Sequence, residues 1–310
     1  MPWYCILLIV IGALIALSVI SGLIALLFIV RARRFDRGAV LKYDSDNGFT
    51  ACHDDYERLW QRTPFKLDCN GVTLSGEYVV NPADNGERRH VAIVCHGHNV
   101  NRFCAVKYGK LFYDAGYSLV LFDERYFGES TGRFCTLGYH ESRDLAELVK
   151  FTRGLFGEDC VLGLHGESMG GATVVGTLKY VSPDFVVSDC PFADSDRLFR
   201  EQVGRLFHLP AFPVVDIAKL LGKLFCDYDI DAFSPITAAA QTDVPICFMH
   251  GKDDKLISCK HSKDMFAVCN NEKSQLHLFE GAAHAMSFAS DKEGYARIMY
   301  DFMRSVGCLD

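Results

Sequence analysis

The chain has 310 residues, enough for one large α/β domain or two small ones, and its composition, 49% hydrophobic and 23% charged, is that of a globular protein with an apolar surplus. Its formal net charge is −7, which argues against a nucleic-acid partner, because phosphate backbones are bound through clustered Lys and Arg.

The apolar surplus lies mostly at the amino terminus, where the 28 residues from Trp3 to Val30 include no charged side chain. A helix needs roughly 20 residues to cross a bilayer. A cleaved signal peptide usually has an apolar region of about 7 to 15 residues, with a basic start before it and a small-residue cleavage site after it. The run fits none of these features, and a buried core helix of this length would be unusually free of charge. Residues 1–34 are therefore predicted to form a transmembrane anchor with a basic flank.

The basic flank consists of Arg31, Arg33 and Arg34, whereas no Lys or Arg precedes the apolar run. By the positive-inside bias, this asymmetry predicts a single-pass protein of the cell membrane whose remaining residues lie in the cytoplasm. The whole chain carries −7 and these three arginines carry +3, so the remaining residues carry −10. That charge again excludes nucleic acid from the expected partners.

Thirteen cysteines are scattered from Cys5 to Cys308, with no CxxC pair and no Cys/His spacing typical of a zinc site. Many lie inside apolar runs, where cysteine acts as a small hydrophobe. Thirteen free thiols are expected only in a reducing compartment, which agrees with a cytoplasmic domain. No metal site is predicted.

The segment 35–60 is polar and mixed, and is predicted to be a connector with one helical segment. The sequence FKLDCNGVTLSGEYVV then alternates apolar and polar residues around Asn70-Gly71, a dipeptide typical of a two-residue hairpin. An antiparallel pair of strands therefore opens the domain that we assign to residues 61–310.

Beyond the hairpin, short apolar runs alternate with segments of helical periodicity. The predicted strands are His90–Gly97, Tyr117–Arg125, Cys160–Ser168, Asp184–Pro191, Val244–Asp254 and Ser274–Gly281. The predicted helices lie near Arg102–Ala115, His140–Gly154, Gly170–Val181, Lys260–Asn270 and Lys292–Val306. Continuous apolar strands alternating with helices predict an α/β fold with a doubly wound, mostly parallel sheet. Such sheets carry their chemistry just beyond the carboxyl ends of the strands.

Ser168 lies at such a strand end, in Gly-Glu-Ser-Met-Gly immediately before a predicted helix. Glycines on both sides of a serine at a strand-to-helix turn are typical of a nucleophile elbow, which holds the serine oxygen outward. The alternative is a glycine-rich turn that binds phosphate or only reverses the chain.

A nucleophilic serine needs a base, usually histidine, and the histidine needs a carboxylate to fix its tautomer. His284 lies in the small-residue loop after the last predicted strand, whereas the other histidines fit structural or surface roles better. Asp253 and Asp254 both follow the strand before it, and both also fit a simple turn. The order serine, aspartate, histidine is the one that α/β hydrolases use.

From about Phe65 to its end the chain resembles α/β hydrolases of the serine esterase and serine peptidase type. His250-Gly251-x-x-Asp254-x-x-Ile257 matches a pattern of that family in which the acid falls on Asp254, although Ser258 stands where a proline is common. Asp253 stays as the less favoured acid. The amino-terminal run and this domain together are similar to bacterial membrane-anchored α/β hydrolases.

The resemblance also implies an oxyanion hole and a structural turn. In CHGHNVNR the backbone N–H of His98, paired with that of Met169, is implied to stabilise the oxyanion, with Asn99 as an alternative donor. The match of FDERYFGES to a family turn implies structural roles for its residues Asp123, Arg125 and Gly128.

The segment of about 192–233 is rich in Phe and Leu at helical spacing and is broken by Pro210 and Pro213. We predict a helical cap insertion that presents an apolar wall to a substrate. The alternative is that these faces only pack on the core.

Together these features predict a membrane-anchored serine hydrolase that cleaves small-molecule carboxylic esters through an acyl-enzyme, without metal or organic cofactor. Ser168 attacks, His284 transfers the proton and Asp254 orients His284. Peptidase, acyltransferase and thioesterase activity on the same triad are alternatives. A non-catalytic, membrane-tethered binding module is the alternative of another class.

Overall fold

The computed structural model of the protein describes residues 2–84, 86 and 88–309. Residues 1 and 310, the outer ends of the predicted anchor and domain, lie outside the described residues. The strands are β1 (Arg62–Cys69), β2 (Val72–Val79), β3 (His90–Cys95), β4 (Ser118–Phe122), β5 (Val161–Glu167), β6 (Phe185–Asp189), β7 (Ile246–Gly251) and β8 (Gln275–Phe279). The helices are α1 (Trp3–Val30), α2 (Arg37–Asp46), α3 (Thr50–Arg58), α4 (Arg102–Asp114), α5 (Glu141–Phe156), α6 (Met169–Thr177), α7 (Ser195–Phe207), α8 (Ala211–Phe225), α9 (Pro235–Gln241), α10 (Lys260–Phe266), α11 (Ser287–Ser290) and α12 (Lys292–Ser305), with a 3-10 turn at Ile230–Ala232.

The eight strands form one sheet in the order β1-β2-β4-β3-β5-β6-β7-β8. Strands β1 and β2 pair antiparallel around a turn in which Asn70 and Gly71 have φ of 47° and 76°, as a two-residue hairpin turn requires. Strand β2 pairs antiparallel with β4, and every pairing from β4 to β8 is parallel. The predicted mostly parallel sheet is therefore confirmed.

Helices cover both faces of the sheet, because its central strands are apolar on both sides. In β3, Val91 and Ile93 point into a core with α5 and α6, whereas Ala92 and Val94 point into a second core with α4 and α12. A fully buried Val or Ile side chain stabilises the fold by roughly 1.5–3 kcal/mol. The alternation explains why these runs show no polar face in the sequence.

The segment 35–60 forms two helices, α2 and α3, where the sequence predicted one helical segment. Phe49 and Tyr56 of this segment are buried in the core beside α4. Asp44 of α2 is also fully buried, and its carboxylate accepts a hydrogen bond from Lys107 of α4 at 3.2 Å. The segment is thus packed on the domain, and its polar composition hides a few residues that make tertiary contacts.

Helix α1 has 28 residues and, by length and composition alone, is a candidate membrane span. Its carboxyl-terminal end is buried in a third core, where Leu26 and Val30 pack with α7 and α8. Gly22 permits the close approach of α8, because a Cβ at Gly22 would lie 2.7 Å from Cγ2 of Ile217. One end of the candidate span is therefore part of the folded domain.

Two helices, α7 and α8, lie between β6 and β7 in the 192–233 segment. Helix α7 ends where His208 adopts a left-handed conformation with φ of 53°, and Pro210 follows two residues later. Phe212 at the start of α8 has an extended ψ of 134°, which the following Pro213 favours by disfavouring helical geometry before it. These breaks separate α7 from α8 and let the two helices pack against each other and against α1.

Candidate active site

Ser168 forms the junction between β5 and α6 with φ of 57° and ψ of −113°, a strained conformation for a residue with a Cβ. Two glycines allow this turn. A Cβ at Gly166 would lie 2.1 Å from the carbonyl oxygen of Gly170, and one at Gly170 would lie 2.6 Å from the carbonyl oxygens of Cys95 and His96. The geometry is that of a nucleophile elbow.

A chain of two hydrogen bonds joins Ser168, His284 and Asp254. Oγ of Ser168 lies 2.8 Å from Nε2 of His284, and Nδ1 of His284 lies 2.7 Å from Oδ2 of Asp254. Because a carboxylate only accepts hydrogen bonds, Nδ1 carries the proton of a neutral imidazole, and Nε2 is left to accept from the serine hydroxyl. The three residues follow three parallel strands, β5, β7 and β8.

Asp254 is buried and accepts hydrogen bonds on both oxygens. The backbone N–H groups of Leu256 and Ile257 donate to Oδ1, each at 2.8 Å, and Nε2 of His250 lies 3.2 Å from Oδ2. Burial alone would raise the pKa of the Asp254 carboxyl, but the hydrogen bonds from His250 and His284 outweigh it and hold that pKa well below its ordinary value. Asp254 is therefore a carboxylate throughout the neutral range.

Asp253, the acid that the sequence favours less, is exposed, and its backbone N–H donates to the carbonyl oxygen of Ala282 at 3.0 Å. The structure brings Asp254 to His284 and leaves Asp253 at the surface.

The predicted oxyanion donors lie beside Ser168. His98, Asn99 and Met169 line the same pocket as Ser168. Among the described residues, no acceptor meets the backbone N–H of His98 or of Met169, as expected for Met169 in the first turn of α6. The His98 side chain points elsewhere: burial lowers its pKa, and the neutral ring donates from Nε2 to the carbonyl oxygen of Ile29 at 3.2 Å.

The turn after β4 has the structural features expected of FDERYFGES. Asp123 accepts hydrogen bonds from the backbone N–H groups of Arg102 and Glu129, at 2.8 and 2.9 Å. A Cβ at Gly128 would lie 2.1 Å from Cγ of Asp123, so only glycine fits there. Arg125 donates two hydrogen bonds to the carboxylate of Asp144, at 2.5 and 2.7 Å.

A buried charge network, which sequence reasoning missed, lies beneath the elbow. Nζ of Lys107 lies 3.2 Å from the Asp44 carboxylate and 3.3 Å from that of Glu167, the residue before Ser168. Tyr108 donates its hydroxyl to Glu167 at 2.6 Å. Burial alone would lower the pKa of Lys107, but Glu167 and Asp44 outweigh it and raise that pKa, so the ammonium stays charged. The only sequence signal was a lysine inside the apolar stretch FCAVKYGKLF.

Asp189 at the end of β6 belongs to the same network. Its Oδ1 accepts a hydrogen bond from the Ser287 hydroxyl at 2.8 Å, and its side chain is fully buried. Burial, followed by the nearby charge of Glu167, raises the pKa of Asp189 to about 7. Ionising Asp189 therefore costs free energy in the folded state.

The ligand atoms of Cys190, Asp254 and His284 lie within 4.8 Å of one another, which is close enough for the three to bind one metal ion. A cysteine ligand must be a thiolate, whereas burial raises the pKa of the Cys190 thiol well above its ordinary value. Asp254 and His284 are also already hydrogen-bonded to each other. The donor set fits a metal ion poorly.

Ser168 opens into a largely apolar cavity of about 540 Å³. Its walls come from the end of α1, from α7 and from the loop after β7; they include Ala25, Phe28, Ile29, Leu198, Phe199 and Ile257. A second, larger groove of about 690 Å³ is lined by charged residues such as Arg37, Arg102 and Glu129. None of Ser168, Asp254 and His284 lines that groove, so the apolar cavity is the candidate active-site pocket.

The chain is similar to known proteins in sequence and in fold. Residues 228–303 match the dienelactone hydrolase family. An uncharacterised protein of Bacillus subtilis (strain 168) is 29% identical over 302 residues, 96% of each chain. The structure of an esterase from Pyrococcus furiosus is similar with a TM-score of 0.63 and 19% identity, over 81% of this chain and 95% of the other. The structure of the acylaminoacyl peptidase of Pyrococcus horikoshii is similar with a TM-score of 0.58 and 14% identity, over 81% of this chain and 42% of the other. These two solved structures share the fold of this chain.

We predict that Asp189→Asn stabilises the fold more at pH 8 than at pH 5. The folded-state pKa of Asp189, about 7, lies above the unfolded value of about 3.9. Wild-type stability therefore falls as the pH rises from the unfolded pKa to the folded one, whereas asparagine does not titrate. The difference in unfolding free energy should grow by on the order of 2 kcal/mol between the two pH values.

Chemical denaturation at each pH measures this difference. The exposed Asp253→Asn serves as the control and should show the same small difference at both pH values. An Asp189→Asn effect that is equal at pH 5 and pH 8 would contradict the proposed cost of ionising Asp189.

Proposed function

Because the chain belongs to the α/β-hydrolase superfamily, as its sequence predicted, we propose that it is a membrane-anchored serine hydrolase that cleaves carboxylic esters through an acyl-enzyme. One observation carries the proposal: the hydrogen-bonded chain from Oγ of Ser168 through His284 to Asp254, with donor–acceptor distances of 2.8 and 2.7 Å. A serine hydroxyl within reach of an oriented imidazole is the arrangement that makes a weak nucleophile reactive.

Acylation begins when Oγ of Ser168 attacks the acyl carbon and Nε2 of His284 takes the hydroxyl proton. Asp254 stabilises the resulting imidazolium. The carbonyl oxygen gains negative charge and accepts hydrogen bonds from the backbone N–H groups of His98 and Met169; removing one such donor typically costs about 10²–10³-fold in rate. The carbon–oxygen bond of the ester then breaks, and the imidazolium returns the proton to the departing alcohol.

Deacylation repeats these steps with water. His284 takes a proton from the water molecule as its oxygen attacks the acyl-enzyme, and the carboxylic acid leaves while Ser168 regains its proton. Amide hydrolysis, thioester hydrolysis and acyl transfer would use the same three residues and differ only in the leaving group or the acceptor. The apolar cavity beside Ser168 suits the acyl part of an ester.

Helix α1 is the proposed anchor. Leu26 and Val30 are buried under α7 and α8, and Phe28 and Ile29 line the pocket, so cleavage of the helix as a signal peptide would open the core and the active site together. Retention of the helix is therefore the better interpretation. The three arginines after it and the thirteen unpaired cysteines support a cytoplasmic domain.

The topology predicts that an amino-terminal tag is reached by antibody on intact cells, while a tag at the carboxyl terminus is reached only after permeabilisation. The reverse pattern would place the domain outside and contradict the positive-inside interpretation.

For catalysis, we predict that Ser168→Ala lowers the turnover of short p-nitrophenyl esters by on the order of 10⁵-fold or more and Asp254→Asn by on the order of 10⁴-fold. Loss of the serine removes the nucleophile, whereas asparagine at 254 favours the wrong tautomer of His284. Turnover is measured with purified full-length protein in detergent, and every variant is assayed at the same substrate concentrations as the wild type.

Two matched variants control for nonspecific effects: Asp253→Asn beside the triad, and Ser182→Ala at an exposed position before β6. Both should stay within about twofold of wild type, as surface substitutions usually do. Full turnover by folded Ser168→Ala would show that Ser168 is not the nucleophile, whereas wild-type protein without any hydrolase activity would favour the non-catalytic binding module.

A further inference from the structure

The proposed anchor leaves a stretch of free helix that matches the thickness of a membrane. From Trp3 to Ser21 the side chains of α1 are exposed apart from three partly buried residues, and the first fully buried position is Gly22. Nineteen residues at 1.5 Å each give about 29 Å, close to the hydrocarbon thickness of about 30 Å. Trp3 and Tyr4 at the far end are residues typical of the membrane interface. The cytoplasmic boundary of the hydrocarbon core therefore lies near Gly22, and the exposed Leu23, Ile24, Leu27 and Phe28 continue the apolar surface of α1 into the headgroup region.

Helix α8 begins beside α1 at this level and runs along it in the same direction, because a Cβ at Gly222 would lie 3.4 Å from Cδ1 of Leu26, four residues after Gly22. Ile217 packs against Gly22, and Leu220 and Leu224 follow on the same face of α8 at helical spacing. These three residues form the apolar stripe of α8. Leu220 and Leu224 are 58% and 65% exposed, and Phe225 beside them is 69% exposed. The stripe therefore lies at the level of the residues of α1 that follow Gly22, where Leu27 and Phe28 are also exposed.

The charged residues of α8 lie on another face. Lys219 pairs with Asp196 and Asp231, and Lys223 pairs with Asp229, so the cations of this helix are held away from the apolar stripe by neighbouring carboxylates. Helix α8 thus presents one apolar face that suits lipid and a separate charged face that suits water.

The active-site pocket opens beside the same junction. Phe28 and Ile29, which line it, come six and seven residues after Gly22, about 9–10 Å along the helix axis. Arg31, Arg33 and Arg205 lie at the rim of the pocket, and among the described residues none of the three has a carboxylate within 4.0 Å. Arg31 donates to the carbonyl oxygen of Arg133 at 3.2 Å and Arg205 to the side-chain oxygen of Gln202 at 2.6 Å, neither of which is an anion. An apolar cavity beside guanidinium groups without a carboxylate partner complements an acyl chain attached to an anionic head group.

We propose that the bilayer covers the apolar stripe of α8, and that the pocket takes the acyl ester of an anionic membrane lipid directly from the adjacent leaflet. This inference rests on the proposed serine hydrolase activity and names its substrate class. The stripe seats the domain on the leaflet, the rim arginines bind the head group, and the acyl chain enters between α1 and α7 to reach Ser168.

The test uses full-length protein reconstituted in vesicles of phosphatidylcholine with or without phosphatidylglycerol. Fatty acid release is measured by mass spectrometry, and p-nitrophenyl butyrate serves as the soluble ester. We expect release from phosphatidylglycerol in preference to phosphatidylcholine. Leu224→Glu should lower the ratio of lipid to soluble-ester turnover about tenfold or more, because it removes the proposed apolar contact with the bilayer and puts a charge at the membrane. Arg33→Gln should lower the preference for the anionic lipid about fivefold.

Matched controls lie in α3 and at its end, away from α1 and α8. Leu59 is 60% exposed, so Leu59→Glu makes the same change at an equally exposed position, and Arg58→Gln matches Arg33→Gln. Both control variants should show the same ratio of lipid to soluble-ester turnover, and the same preference for the anionic lipid, as the wild type.

Each contrary outcome identifies what fails. Turnover of the soluble ester without fatty acid release from either vesicle overturns the lipid inference and leaves the serine hydrolase intact. Equal release from the two lipids refutes head-group recognition by the rim arginines. If Leu224→Glu keeps the wild-type ratio but converts a dimer in detergent to a monomer, a second copy of the chain covers the stripe. Without turnover of either substrate, the proposed function and the inference fail together.

Discussion

Parallel pairing of β5, β6, β7 and β8 is the constraint on which the candidate site depends. It brings the carboxyl ends of these strands to one edge of the sheet, so that residues separated by as many as 116 positions meet within hydrogen-bond distance. Ser168 follows β5 directly, Asp254 follows β7 by three residues, and His284 follows β8 by five. The loops are short, and the sheet itself fixes their starting points.

The elbow adds strain that the surrounding packing must hold. Ser168 keeps a positive φ because Gly166 and Gly170 let β5, α6 and the loop after β3 approach one another without a Cβ between them. Beneath this turn, Glu167 is fixed by Tyr108 and Lys107, and Lys107 also binds Asp44 of α2. A buried ion network of this kind adds little net stability but is costly to break, since each partner would leave an unpaired charge. The elbow is thereby tied to a helix far from it in sequence.

The amino-terminal helix has two environments along its length. Its first nineteen residues present mostly apolar side chains outward, whereas one face of its last turns, with Leu26 and Val30, is buried against α7 and α8. The same helix therefore forms the proposed anchor and part of the pocket wall, and the carbonyl oxygen of Ile29 accepts a hydrogen bond from the side chain of His98, whose backbone N–H is a proposed oxyanion donor.

Much of the sheet could be predicted from the sequence, because its strands are short apolar runs punctuated by glycine and its helices have regular periodicity. The positions of Ser168, Asp254 and His284 at strand ends followed from the same pattern. What escaped prediction depends on tertiary contacts between distant segments: the burial of Asp44 and Lys107, the packing of Gly22 on Ile217, and the second helix of the 35–60 segment. A lone charged residue in a helix gives no local sign that a partner of opposite charge lies 63 residues away.

The central claim is that Ser168 is an activated nucleophile. The most direct test treats cells that contain the full-length protein with a fluorophosphonate probe and maps the modified peptide by tandem mass spectrometry. The account predicts one modification, on Ser168, that disappears when the protein is first denatured. Folded protein that stays unlabelled, or that carries the label on another residue, would contradict it.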